Sequence, residues 1–373
     1  MSKLQNAVLA LAISLTATGY GLEPLQDGSA VYEARVAKRM LTKLDANKDG
    51  LFKADEDPAQ WKKSKRLDTN KDGAVDLAEF TSNSLKYIDS PGRQIRNVLF
   101  KRSATGDVYL DFYFPDVDDS SEKPVVLYTH GGGWAAGSKQ AAGHASFGQV
   151  HQELLKQGFC VVSVGYRKWS KEGVTAMRDC VIDSQDALRY ISAYRKELGI
   201  DPMRISTFGD SAGGHLAQMV LLSPSDAIKG DPELAKYPYQ TVAGVSWYGP
   251  CDFEDEQLFN HNDREDFRDR FGPRIMGPNS TPADKAERYR EMSPVNYLTK
   301  GSAPLLMIQG DKDTTIPVKQ AYRMQEALKT IDAPVKILIV KNAGHNWRSV
   351  DAPIEPGRNA IIERTVEFFL SHK

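Results

Sequence analysis

The stretch RISTFGDSAGGHLAQMVLL, residues 204–222, decides the fold. Residues 204–208 read as a short buried strand, and residues 215–222, stopped by Pro224, read as the helix that follows. Between them Gly209-Asp210-Ser211-Ala212-Gly213 sets a serine between two glycines, the pattern of a sharp strand-to-helix turn that keeps a hydroxyl exposed. Ser211 is the candidate nucleophile. The glycines let the helix begin close to the strand, so the amide of Ala212 at its N-terminus faces any negative oxygen formed above Ser211.

Toward the N-terminus, HGGGW at residues 130–134 follows an apolar run at residues 124–128, so three glycines stand at the end of a strand. Amides there can approach a substrate, and those of Gly132 and Gly133 would join Ala212 as an oxyanion hole, where one donor is worth about 3–4 kcal/mol. A G-x-S-x-G alone occurs by chance in many chains; the glycine run makes it specific. Toward the C-terminus, the strand at residues 305–309 is followed by Gly310-Asp311-Lys312-Asp313-Thr314-Thr315-Ile316-Pro317, and the strand at 335–340 by Ala343-Gly344-His345. His345 reads as the general base, with Asp311 or Asp313 orienting it, in the chain order Ser, Asp, His. Of the seven histidines, His130 belongs to the glycine run and His215 sits one turn past the serine.

Strands and helices alternate from residue 94 onward. Residues 97–101 and 108–114 read as an antiparallel pair, the second with Asp111 and Tyr113 facing outward. Residues 125–129 and 159–164 are continuous apolar runs, as in strands covered on both faces. A helix is expected over residues 174–198, ended by Gly199, and a further strand over 242–248. The class is α/β, a mostly parallel sheet wrapped by helices.

Before this domain, DANKDGLFKADE at residues 45–56 and DTNKDGAVDLAE at 68–79 repeat one pattern. Asp45, Asn47, Asp49 and Glu56, with the Leu51 carbonyl, and Asp68, Asn70, Asp72, Asp76 and Glu79, with the Ala74 carbonyl, supply the oxygen ligands that calcium needs, and Gly50 and Gly73 permit the turn. These loops resemble EF-hands, as a small all-α pair with Phe52 and Val75 positioned for a short strand contact. Lys53 stands at position nine of the first loop where the second has Asp76, so the first is the weaker site. Residues 59–67 form the short helical region between them. The calcium is expected to be structural.

Residues 1–19 read as a secretory signal peptide: one Lys, an apolar core at 7–15, then Ala17-Thr18-Gly19. The apolar core is too short to span a bilayer. The boundaries are then 1–19 for the signal, 30–88 for the calcium-binding module and 94–373 for the catalytic domain, and the location is secreted or periplasmic. A net charge of −1 with no basic run argues against nucleic acid or an anionic membrane as partner. Three cysteines, Cys160, Cys180 and Cys251, are too few for a disulfide framework.

Residues 94–373, with HGGGW, GDSAGG, GDKDTTIP and AGH, resemble the α/β-hydrolases of the hormone-sensitive-lipase-like and carbohydrate-esterase branch. The resemblance implies Asp313 as the acid, because it lies three residues after the strand-end glycine and four before the proline, and implies Gly132, Gly133 and Ala212 as the oxyanion amides. It implies a serine carboxylesterase, acetylxylan or feruloyl esterase, with arylformamidase or peptidase activity as the alternative and no cofactor in the chemistry. Asn346-Trp347 departs from the usual glycine-aromatic pair, altering a pocket wall. A calcium-dependent binding protein with an inactive hydrolase domain is the rival of another class, and the complete triad counts against it. Residues 252–274 hold twelve charged residues in twenty-three, eight of them acidic, and only a narrow apolar stripe, unlike a lipase lid. Trp134, Trp247, Tyr248 and Trp347 lie near strand ends where they could stack on a sugar or aryl ring. A short acyl group on carbohydrate is therefore the expected substrate.

Overall fold

A computed structural model describes residues 22–83, 85–117, 121–260, 269–278 and 280–373. The predicted signal at residues 1–19 lies outside them. The N-terminal module runs α1 (Ser29–Leu44), β1 (Phe52–Lys53), α2 (Pro58–Ser64), a 3-10 turn (Lys65–Leu67), β2 (Ala74–Val75) and α3 (Leu77–Asn83). β1 and β2 pair antiparallel with Phe52 opposite Val75. Asp57 caps α2 by accepting from the Gln60 amide at 3.0 Å, with Pro58 at the first helical position where its missing N–H is harmless. A small core of Ala37, Leu41, Phe52, Leu67, Val75 and Phe80 holds the two halves together.

The catalytic domain is built on β3 (Gln94–Lys101), β4 (Val108–Tyr113), β5 (Lys123–Thr129), β6 (Cys160–Val164), β7 (Ile200–Asp210), β8 (Thr241–Trp247), β9 (Leu305–Gly310) and β10 (Val335–Val340). Their order across the sheet is β10-β9-β8-β7-β5-β6-β4-β3. β10 to β6 are parallel, and β4 runs antiparallel to both β6 and β3. The parallel strands are apolar on both faces because helices cover both: β5, β6 and the last six residues of β7 are buried almost throughout. α4 (Ala145–Lys156) and α11 (Arg358–Leu370) pack around Tyr128, Phe208 and Trp247, while α5 (Met177–Ala193), α6 (Arg195–Leu198) and α7 (Ala212–Leu222) cover the other face. α8 (Gly272–Met276), α9 (Lys285–Glu291) and α10 (Lys319–Leu328) complete the wrapping. The three cysteines are buried and free, and no described helix is long and apolar enough to cross a membrane.

Two expectations are corrected. The helix expected over 174–198 starts at Met177 and breaks at Tyr194, after which α6 ends at Gly199 with φ 65. Asp111 and Tyr113 do not face water: both are fully buried. The reason lies beyond β4. Lys139, itself 2% exposed, reaches Asp111 Oδ1 and Asn97 Oδ1 at 2.5 Å each, and its ammonium stands 4.7 Å from the centroid of Tyr32, a residue of α1. The module thus seals this face. The Gly28 amide donates to the Arg96 carbonyl at 2.9 Å, Arg35 donates to the Tyr109 hydroxyl at 2.8 Å, and Tyr32 meets Tyr109 edge-on at 4.9 Å.

Candidate active site

Ser211 leaves β7 with φ 52 and ψ −120, a strained conformation for a residue with a side chain, and α7 begins at the next residue. The glycines around it are sterically required. A Cβ on Gly213 would come within 1.9 Å of the Thr129 carbonyl oxygen, and one on Gly209 within 2.2 Å of that of Gly213. Helix and strand can therefore meet only through hydrogen, and the contact is closed by the Thr129 hydroxyl donating to the Gly213 carbonyl at 2.7 Å. The Ser211 amide donates to the Trp247 carbonyl at 2.8 Å, tying the turn to β8.

The HGGGW run leaves the end of β5, the strand beside β7, with Gly132 at φ 118 and Gly133 at φ 60. Among the described residues no acceptor takes the amides of Gly132, Gly133 or Ala212. Amides left open in this way could receive a developing oxyanion.

His345 follows β10 through β11 (Ala343–Gly344), and its ring joins the two remaining groups. Its Nδ1 lies 2.7 Å from Asp313 Oδ2 and its Nε2 lies 3.1 Å from Ser211 Oγ. A carboxylate only accepts, so Nδ1–H donates to Asp313 and Nε2 is left to accept the Ser211 proton. Asp313 is 4% exposed, and its other oxygen accepts from the amides of Thr315 at 2.7 Å and Ile316 at 2.9 Å. Those bonds fix the carboxylate plane. Asp311 instead spends its amide on the Val340 carbonyl, extending the sheet pairing, and makes no contact with His345.

The competing histidines are occupied elsewhere. Burial pushes His130 down to about 3 and His215 to about 4, so both are neutral. His130 stacks on Tyr166 with centroids 4.2 Å apart, fixing the glycine run from beneath. His215 Nδ1 accepts from Trp134 Nε1 at 3.2 Å, so its Nε2–H donates to the Met292 carbonyl at 2.8 Å.

The aromatic pocket expected from sequence is corrected. Trp134, Tyr248 and Trp347 are 1%, 1% and 3% exposed, and Trp247 is fully buried with its Nε1 on Thr365. Trp134 is enclosed by Phe253, Phe271 and His215. Tyr248 packs at 4.7 Å against both His345 and Trp347. Large apolar faces near a strand end gain more from the core than from an open wall, so these rings support the catalytic groups from below. The positive φ of Asn346 and Trp347 turns the chain to seat that support. Phe253, Phe259 and Phe271 of the charged insert fold inward onto the cluster that holds Trp134, while Phe267 lies outside the described residues.

A further residue belongs here that sequence reading missed. Asp210 Oδ1 accepts from the Gly131 amide and from the Tyr128 hydroxyl, each at 2.9 Å, which pins the glycine run to the nucleophile turn. Burial pushes its carboxyl up to about 6, against the lowering effect of those two bonds. Its place before Ser211 was visible, but its partners required β5 and β7 to be neighbours.

The two acidic loops share one backbone form, with Lys48 and Lys71 at φ 63 and Gly50 and Gly73 at φ 86 and 88. They differ in what their donors already hold. In the first, Asp45 accepts from the amides of Asp49 and Gly50, and Lys53 Nζ bonds Asp49 Oδ2 at 2.7 Å, holding that carboxyl below its usual range. In the second, Asp68 Oδ1 is buried with no hydrogen-bond partner, and Asp76 caps Glu79 rather than meeting a lysine. An orphaned buried carboxylate oxygen fits a cation. Among the described residues no three His, Cys, Asp or Glu side chains form a metal cluster by themselves, so an ion would depend also on Asn70 and the Ala74 carbonyl.

Comparison with known proteins places the chain among esterases. Residues 110–328, more than half of the chain, match the family model described as BD-FAE. In sequence the chain is similar to the probable carboxylic ester hydrolase LipM of Mycobacterium tuberculosis, 28% identical over 217 residues, covering 58% of this chain and 47% of that protein. It is also similar to esterase LipC of the same organism, 29% identical over 247 residues, covering 64% and 57%. The chain thus spans about half the length of the curated relatives it matches. In structure it is similar to a truncated carbohydrate esterase from gut microbiota, with a TM-score of 0.59 at 22% identity, covering 77% of this chain and 99% of that one, a likeness of fold. The family match runs from β4 to α10 and so takes in Gly132, Gly133, Ser211, Ala212 and Asp313: the chain belongs to the BD-FAE family.

Proposed function

We propose that this chain is an exported serine carboxylesterase that hydrolyses short acyl esters, acetyl or a related group, carried on carbohydrate. The observation that carries the reading is the single imidazole bonded at once to Asp313 and Ser211, with three amides that have no acceptor among the described residues. Ser211 Oγ attacks the ester carbonyl as His345 Nε2 takes its proton; the carbonyl oxygen, now negative, is received by the amides of Gly132, Gly133 and Ala212. The imidazolium, held by Asp313, returns the proton to the departing alcohol. Water then attacks the acyl-enzyme by the same route. The inward-folded phenylalanines of the insert support a water-facing mouth rather than a lipid-facing lid, and the relatives named as esterases support the reaction class.

Calcium enters this proposal as a structural ion of the N-terminal module. Asp68, Asn70, Asp72, Asp76 and Glu79 with the Ala74 carbonyl would hold it, and the first loop, neutralised by Lys53, would bind it less well. When bound it supplies positive charge to the loop and plays no part in the chemistry.

The test is a screen of p-nitrophenyl esters of increasing chain length, beside an aminoacyl anilide and formylkynurenine. The expected result is a maximum specificity constant at two to four carbons, falling steeply beyond about six. A maximum at long chains would put a lipase in its place; preference for the anilide or the formamide would make it a peptidase or a formamidase. N-terminal sequencing of the exported protein tests the leader, expected to end near residue 19.

A further inference from the structure

The segment after β8 returns to the active site through two arginines. Arg274 in α8 is half-buried, and its guanidinium lies against the oxyanion run: a Cβ built on Gly133 would stand 3.1 Å from Nη1. The guanidinium carbon is 5.6 Å from the centroid of Trp169 and 5.3 Å from that of Phe271. Arg270 reaches the acid loop instead, where its Nη1 donates to the Thr315 carbonyl at 3.3 Å, two residues from Asp313. The two arginines thus stand beside the oxyanion glycines and the acid loop, the two structures that flank Ser211.

What surrounds Arg274 is unusual for a desolvated cation. A half-buried guanidinium ordinarily recovers its lost hydration from a carboxylate. Among the described residues no carboxylate lies within ion-pairing distance of Arg274, and its neighbours are two rings, a glycine backbone and a second cation. Burial, and after it the field of Arg270, holds its pKa below the ordinary value. Arg274 itself therefore carries positive charge that no described carboxylate offsets, next to the place where an ester carbonyl must sit. A planar fork of donors in that setting matches a carboxylate.

We propose that Arg274, assisted by Arg270, is an anion subsite of the cleft and that the preferred substrates carry a carboxylate close to the scissile ester. With a carbohydrate alcohol this is the carboxylate of a sugar acid; with a dicarboxylic acyl group it is the free end of the acyl chain. The inference rests on the esterase reading of Ser211 and narrows it to anionic esters.

Two isosteric pairs separate the sources of charge. 4-Acetoxybenzoate against its methyl ester places the carboxylate on the alcohol side; p-nitrophenyl hemiglutarate against p-nitrophenyl valerate places it on the acyl side. In one of the pairs the anionic member is expected to show a kcat/KM about tenfold or more above its neutral partner at low salt, the scale of one charged hydrogen bond in a partly desolvated site, and this preference should shrink as salt rises. R274Q should abolish the preference, R274K should keep part of it, and R270Q should reduce it less. Preference for the neutral member of both pairs overturns the subsite. So does an R274Q variant that slows anionic and neutral esters by the same factor, which would make Arg274 a donor of the oxyanion hole. Should R274Q not fold, the wild-type preference, its salt dependence and R270Q decide. Failure of the esterase reading is separately visible as inertness toward p-nitrophenyl acetate. In that event calorimetric titration of the same four compounds into S211A decides the subsite: tighter binding of an anionic member supports it, and equal or weaker binding of both overturns it.

Discussion

Asp210 is a carboxylate buried between a tyrosine hydroxyl and a glycine amide, and its charge has a cost that depends on pH. Its folded pKa of about 6 lies above the ordinary 3.8, so the folded state holds the proton more tightly than the unfolded one. The penalty is full above pH 6, shrinks as pH falls, and is gone below about 4; a rise of this size corresponds to roughly 3 kcal/mol. Asp210→Asn keeps an oxygen for both donors and removes the titration. Its melting temperature relative to wild type should therefore climb by roughly 5 °C between pH 4 and pH 7.5, read by calorimetry; a difference that does not change with pH would refute the buried charge. The two aspartates of the acid loop are separable in the same way. Asp313→Asn should lower turnover by roughly four orders of magnitude by leaving His345 in the wrong tautomer, while Asp311→Asn should cost little, as measured by steady-state kinetics. The two acid-loop aspartates were legible in sequence because each stands within a few residues of a strand end and a glycine, whereas the partners of Asp210 were not. Arg274 was not, because its neighbour Gly133 is far away in the chain and only the returning insert brings them together.

Whole elements were legible where burial on both faces leaves one pattern. β5, β6, β8 and β9 lie where apolar runs placed them, since a central parallel strand has no polar face to confuse the reading. β4 misled because alternation of Asp111 and Tyr113 with apolar neighbours reads as a solvated face, and only an ammonium from another loop reveals it as internal. The acidic loops show the opposite case, in which a one-residue difference decides between similar elements. Lys53 already supplies a cation to the first loop, whereas Asp68 of the second retains an unsatisfied oxygen. Glu79→Ala should therefore weaken calcium binding more than Glu56→Ala, and Lys53→Asp should strengthen the first site, both read by titration calorimetry. Absence of any calcium binding by the wild type would remove the proposed ion.

At the scale of the molecule, the boundary near residue 90 separates two hydrophobic cores but not two independent bodies. Tyr32, Tyr87, Asn97, Asp111 and Lys139 form one polar knot, with Lys139 only six residues past Gly133 in the chain. Lys139→Met would strand Asp111 in the interior, a change of the kind that costs about 3–5 kcal/mol, and should lower the melting temperature of the full chain. For calorimetry the consequence is cooperativity. A module joined to its neighbour by a flexible tether melts as a separate peak, but here Tyr32 of α1 lies against Lys139, a buried cation of the large domain. Heating should then give one endotherm, with the van't Hoff and calorimetric enthalpies in agreement, and chelating calcium should move that single peak downward instead of splitting off a minor one.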